Sequence, residues 1–156
     1  MDVITLTLVH TGLSFLALAF GIVALRSYFA QTPSLWADVF IILDIIVVVT
    51  GFFLPFTTVT PAVGTGIVAS IILVLMLILR FGLGLDGIKR KLYAMGLVIN
   101  TFFLVLVTIA QSFNKLPPLH AVAPDGGGPV FGVAQLTNLA VFAFVGFKIW
   151  RVLKRA

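Results

Sequence analysis

Apolar residues run along this chain in long blocks separated by short polar breaks, without the every-second-residue alternation of half-buried strands. The blocks cover about residues 4–25, 36–56, 62–83, 92–113 and 130–149. Each has roughly the 20 residues that an α-helix needs to cross a bilayer core, so the pattern predicts five membrane spans. The second block is β-branched over 41–49 and reads locally as a strand. Its length and lack of alternation favour a helix, which satisfies its backbone hydrogen bonds internally in lipid. Arg26 closes the first block, Pro33 sits in the linker 27–34, and Pro55 precedes a charge-free turn at 57–61. Residues 86–91 interrupt the pattern again. The longest break, 114–129, holds Pro117, Pro118, Pro124 and a glycine triplet at 126–128. Met1-Asp2-Val3 carries no Lys or Arg before the first block, so the basic start of a secretory signal is missing and the first block is expected to remain as a helix.

Composition turns this pattern into a fold class. The 156 residues are 61% hydrophobic and 10% charged, with a mean hydropathy of +1.23, against about 45–50% and about 25% for globular domains. The expectation is an all-α, polytopic transmembrane bundle of five spans in a single domain, 1–156, with no soluble part. Absence of cysteine excludes disulfides, thiolate metal sites, iron–sulfur clusters and dithiol exchange. The net charge of +5 does not signal nucleic acid, because the cations cluster between apolar blocks rather than forming one basic face.

Those cations set an orientation. With five spans, one side holds Arg26, Arg80, Lys89, Arg90, Lys91, Lys148, Arg151, Lys154 and Arg155, and the other holds Lys115. By the positive-inside rule the N-terminus and the segment 114–129 lie outside and the C-terminus is cytoplasmic. Trp36, Trp150, Tyr28 and Tyr93 fall near the cytoplasmic boundary, as interfacial aromatics do. The basic clusters read as topology signals and lipid-headgroup contacts, with recruitment of a soluble partner as the sharper alternative.

Polar side chains inside the spans carry the most information, because each needs a partner or water. Asp44 lies about 12 Å in from Trp36 at about 1.5 Å per residue, near mid-bilayer. Three readings are open: an ion pair with Arg80, a neutral hydrogen-bonded carboxyl, or a proton relay. A second set, His10, Thr50, Gln111, Gln135 and Asn138, maps to the outer half, with Asn100 nearer the midplane and His120 in the segment above. Converging, they would line a ligand pocket; separately, they would be interhelical hydrogen bonds worth about 0.6 kcal/mol each.

Other signals are weaker. Gly82 to Gly87 matches GxGxxG but ends an apolar span rather than following a strand, so its glycines are read as helix terminators. Asp86 and Arg90 are spaced to pair if the fourth helix starts early. Haem held by His10 and His120 would require the latter to insert beside the first helix. A quinone needs only one or two hydrogen-bond partners in an apolar cleft, which the sequence permits without indicating. Asp2, His10 and Ser14 fail as a hydrolytic set because Asp2 is expected at a frayed end. Ala17 with Gly21, Gly66 with Ser70, and Ala140 with Ala143 and Gly146 supply small residues for helix contact, internal or between copies.

The stretch 92–135, with Asn100, Gln111, Lys115-Leu-Pro-Pro-Leu-His-Ala-Val-Ala-Pro124, Pro129, Phe131 and Gln135, resembles a family of small bacterial integral-membrane proteins without an established activity. The run from Thr50 to Phe56 is similar to it as well, whereas the glycine triplet departs from it. The resemblance implies a bacterial inner-membrane location and brings no catalytic residues. The leading expectation is a non-enzymatic protein binding a lipid-like ligand or a membrane partner through its outer half, with 114–129 as lid or docking surface. A proton-linked transporter or channel using Asp44 comes second, and a haem- or quinone-binding redox subunit third. Membrane lipids, and beyond them a larger membrane complex or homo-oligomer, are the expected partners.

Overall fold

The computed structural model describes residues 2–30, 35–55, 60–124 and 127–154. Six helices account for nearly all of them, and no strand occurs among the described residues. They are α1 (Val3–Phe29), α2 (Leu35–Phe52), α3 (Pro61–Leu77), α4 (Gly87–Lys115), α5 (Pro117–Val122) and α6 (Gly128–Val152). α3 continues as a wider π-helical turn, Ile78–Leu83. Five of these, with α3 and its π turn taken together as Pro61–Leu83, are long and apolar enough to cross a membrane. Their outer faces fit that reading: Ile4, Leu8, Phe81, Val133 and Leu136 are each more than half exposed, a surface that is stable against lipid rather than water.

The helices differ from the apolar blocks at their ends, because a helix continues into polar residues once past the hydrocarbon. α4 starts at Gly87 rather than near Leu92, and α1 runs to Phe29. α2 stops at Phe52, ahead of Pro55, while Phe56, the linker residues 31–34, Asp125, Gly126 and Arg155 lie outside the described residues. The segment 114–129 contains a helix of its own, α5, begun by Pro117 and Pro118, positions where a missing N–H leaves nothing unsatisfied. Asp2 is the N-cap of α1, accepting from the Thr5 N–H at 3.1 Å, and hydrogen bonding by the Thr5 side chain together with this N–H keeps its carboxyl below the usual range. That end is capped rather than frayed.

Between α3 and α4, Gly84 takes a φ of 75°, a backbone that residues with a Cβ rarely adopt, so the glycine terminates the helix as expected. Asp86 pairs with Lys89 at 2.8 Å instead of Arg90, and this contact holds the Asp86 carboxyl below the ordinary carboxylate range. Lys89 also donates to the Leu83 carbonyl at 2.8 Å, satisfying an acceptor left open at the helix end.

α1, α2, α3 and α4 form a ring in chain order, each packed on the next and α4 on α1. α6 lies outside the ring, mainly against α4. Helix alternation divides the ring into two ends. The end where α1 finishes and α4 begins is filled by Tyr28, Phe40, Ile41, Met76, Tyr93 and Leu97, all buried in one cluster. Glycine permits a close crossing there: a Cβ on Gly21 of α1 would lie 2.8 Å from Thr101 Oγ1 of α4 and 3.0 Å from the Phe40 ring of α2. Gly66, by contrast, faces open space, and of the small residues in α6 only Gly146 is buried. Towards the end that carries the N-terminus the ring is not filled, and a cavity occupies its axis.

Candidate functional site

The cavity has a volume of about 840 Å³ and is lined by all four ring helices. Its position follows from two polar stripes. Thr7, His10, Thr11 and Ser14 on α1, and Thr108, Gln111, Ser112 and Lys115 on α4, all line it, and each set repeats at i, i+3, i+4, i+7, one face of a helix. Apolar wall is added by Phe15, Val48, Phe52, Val63, Phe103 and Val107.

Asp44 and Asn100 close the floor. They come from α2 and α4, diagonal across the ring, and the Asn100 amide donates to Asp44 Oδ2 at 2.7 Å and weakly to the Ala69 carbonyl at 3.4 Å. Both are nearly inaccessible, at 3% and 1% exposure. Asn100 Oδ1 has no hydrogen-bond partner, an uncommon state for a buried polar atom.

Most wall hydroxyls are already donating. Thr7 gives its hydrogen to the Val3 carbonyl at 2.7 Å, Ser14 to His10 at 2.8 Å, Thr65 to Pro61 at 2.8 Å, Thr108 to Leu104 at 2.7 Å and Ser112 to Thr108 at 2.8 Å. These bonds to the preceding helical turn leave the hydroxyl oxygens as acceptors. Thr50 likewise donates to Ile46 O at 2.7 Å, so the 2.9 Å contact between His10 Nδ1 and Thr50 Oγ1 has Nδ1–H as donor. In the neutral ring Nε2 is then an acceptor. Asp44 and Lys115 are the charged side chains lining the cavity, at its floor and at its mouth.

Of the residues expected to form an outer pocket, His10, Asn100 and Gln111 line this cavity, and Thr50 positions the His10 ring. The others lie elsewhere. Gln135 donates to the Leu106 carbonyl at 3.1 Å in the α4–α6 seam, where its Oε1 and both polar atoms of Asn138 lack partners. His120 is exposed on α5 and does not line the cavity. The site therefore contains one imidazole rather than the two that haem ligation was expected to use. Among the described residues no group of three or more His, Cys, Asp or Glu is placed to hold a metal.

The Asp44–Arg80 ion pair, one of the three readings open for Asp44, does not form, because Arg80 has another partner. Arg80 makes a bidentate contact with Asp38, both bonds 2.8 Å, at the opposite end of the ring from the cavity. The two side chains are 38% and 26% exposed, and a pair so accessible contributes at most about 1 kcal/mol. Depth decides the partner. Arg80 is three residues in from the end of its helix at Leu83 and Asp38 three in from Leu35, whereas Asp44 is six residues, about 9 Å, deeper along α2.

No protein-family model, curated protein or solved structure matches the chain, so its function has to be read from the chemistry of this cavity.

Proposed function

We propose that the chain is a multi-pass protein of a bacterial inner membrane, with its N-terminus outside and its C-terminus cytoplasmic, that holds a lipid-like amphiphile in the axial cavity without transforming it. The observation that carries this reading is the cavity itself, about 840 Å³ in a bundle whose other end is solidly filled. Pockets for small ligands span about 300–1,000 Å³ and combine apolar walls with a few convergent polar groups, which is the composition found here.

Gly66 supplies the test, since a side chain added there meets nothing within 4 Å and would project into the cavity. A diazirine-bearing alkyl probe is expected to label wall positions such as Val63 and Val107 in the native protein. Gly66→Phe should abolish that labelling while leaving the melting temperature in detergent unchanged. Labelling that persists in a folded Gly66→Phe protein, or that never reaches these positions, would rule the reading out.

Orientation is tested separately, using the absence of native cysteine. In intact cells a membrane-impermeant thiol reagent should modify Lys115→Cys and spare Lys154→Cys until the membrane is opened. The reverse order would invert the proposed topology.

A proton-linked transporter is the second reading. It is favoured by Asp44, a mid-helix carboxylate that lines the cavity and has one side-chain hydrogen-bond partner. Proton-driven flux in liposomes that disappears in Asp44→Asn would be its signature.

A further inference from the structure

We propose that the cavity floor is a receptor for an ammonium group carried on an apolar chain, with Asp44 as counter-ion and Asn100 Oδ1 as a hydrogen-bond acceptor. The inference rests on the binding reading above and names the ligand's chemistry.

The hydrogen-bond inventory of the cavity floor points to a donor. At the floor, Asp44 as a carboxylate can only accept, and the Asn100 amide nitrogen is already bonded to it, leaving Oδ1 without a partner. Along the walls, Thr7, Ser14, Thr65, Thr108 and Ser112 have given their hydrogens to their own helices. A neutral His10 offers Nε2 as a further acceptor, because Nδ1–H is bonded to Thr50. A guest rich in acceptors, such as a carboxylate, would find little to bond at the floor and would meet the Asp44 charge. A guest with N–H groups would satisfy the acceptor that the fold leaves open.

Charge distribution agrees. The cationic side chain lining the cavity, Lys115, is exposed at the mouth, 15 residues or about 22 Å along α4 from Asn100. That separation leaves the buried floor with the negative character of Asp44, in an apolar setting where opposite charges attract far more strongly than in water. A bare metal ion suits the floor less well: hard cations such as calcium take about six to eight oxygens, and no cluster of three or more ligating side chains exists among the described residues. An ammonium needs about three acceptors, and its alkyl chain matches the walls formed by Val48, Val63, Phe103 and Val107.

The test is competition against the diazirine alkyl probe, using the full chain in phosphatidylcholine nanodiscs. Dodecylamine, dodecanol and dodecanoate share one tail and differ in the head. Dodecylamine is expected to displace the probe from the cavity wall at concentrations at least tenfold lower than either of the others. Asp44→Asn, close in shape, should still be labelled but should lose the preference for the amine. Equal competition by all three in the native protein would overturn the inference without any variant, and so would an amine preference that survives in Asp44→Asn. Failure of the probe to label the cavity wall at all would defeat the binding reading and this inference with it, whereas labelling without amine preference defeats the inference alone. A parallel series in phosphatidylethanolamine discs identifies the source of the amine. Protection of the wall before any dodecylamine is added supports a lipid headgroup as the ammonium donor, and unprotected wall with retained amine preference supports a soluble amine.

Discussion

Asn100→Leu is expected to destabilise the protein by about 3 kcal/mol, because it removes the hydrogen-bond donor held 2.7 Å from a carboxylate that is 97% inaccessible. Leucine keeps the branched outline of asparagine, but its methyls are bulkier, so overpacking at a site only 1% exposed adds to the electrostatic loss. The double variant Asp44→Leu, Asn100→Leu should recover the electrostatic part of the loss, since removing both partners leaves no polar group stranded at the floor. Unfolding free energies measured in detergent for the two single variants and the double would close the cycle. Coupling of about 1–3 kcal/mol is expected for groups in direct contact. Strict additivity would mean that Asn100 does not support Asp44 and that the diagonal bond is energetically idle.

The second large effect is steric. Gly21→Leu should lower stability by about 3 kcal/mol or prevent the bundle from assembling, because the first added carbon would lie 2.8 Å from Thr101 Oγ1 and 3.0 Å from the Phe40 ring, both fully buried. The same change at Gly66 should be neutral or gain up to about 1 kcal/mol from helix propensity, there being nothing within 4 Å to displace. Comparing melting temperatures of Gly21→Leu and Gly66→Leu tests the division of the ring into a filled end and a hollow one. Equal effects at the two glycines would contradict it.

How much of this was legible from residues alone depended on the kind of information each feature needs. Spans are a matter of length and hydropathy, both local, so all five apolar blocks correspond to helices. Their ends were less legible because the helical backbone continues beyond the apolar segment, as α4 does between Gly87 and Leu92. The Asp38–Arg80 pair follows from depth counted from each helix end, which the apolar blocks leave undefined by several residues. The cavity could also have been anticipated further than it was. Two polar stripes at i, i+3, i+4, i+7, on α1 and α4, lie at the same end of the bundle, and His10 and Gln111 are one member of each. Which helices are neighbours is another matter. Gln135 and Asn138 occupy the same depth as the cavity but belong to α6, outside the ring, and nothing in hydropathy records that order.

The diagonal bond between Asp44 and Asn100 also has a kinetic meaning. Below it the axis is occupied by Phe40, Ile41, Met76 and Leu97, and about 9 Å further along α2 the Asp38–Arg80 pair bridges α2 to the end of α3. A molecule that reaches the floor therefore leaves through the same half by which it arrived. Substitutions at the mouth, around Lys115 and Leu116, that only narrow or widen the passage alter arrival and departure rates by one common factor and leave the equilibrium occupancy untouched. Changes at the floor act on departure alone. Passage to the far side requires the filled end of the ring to come apart.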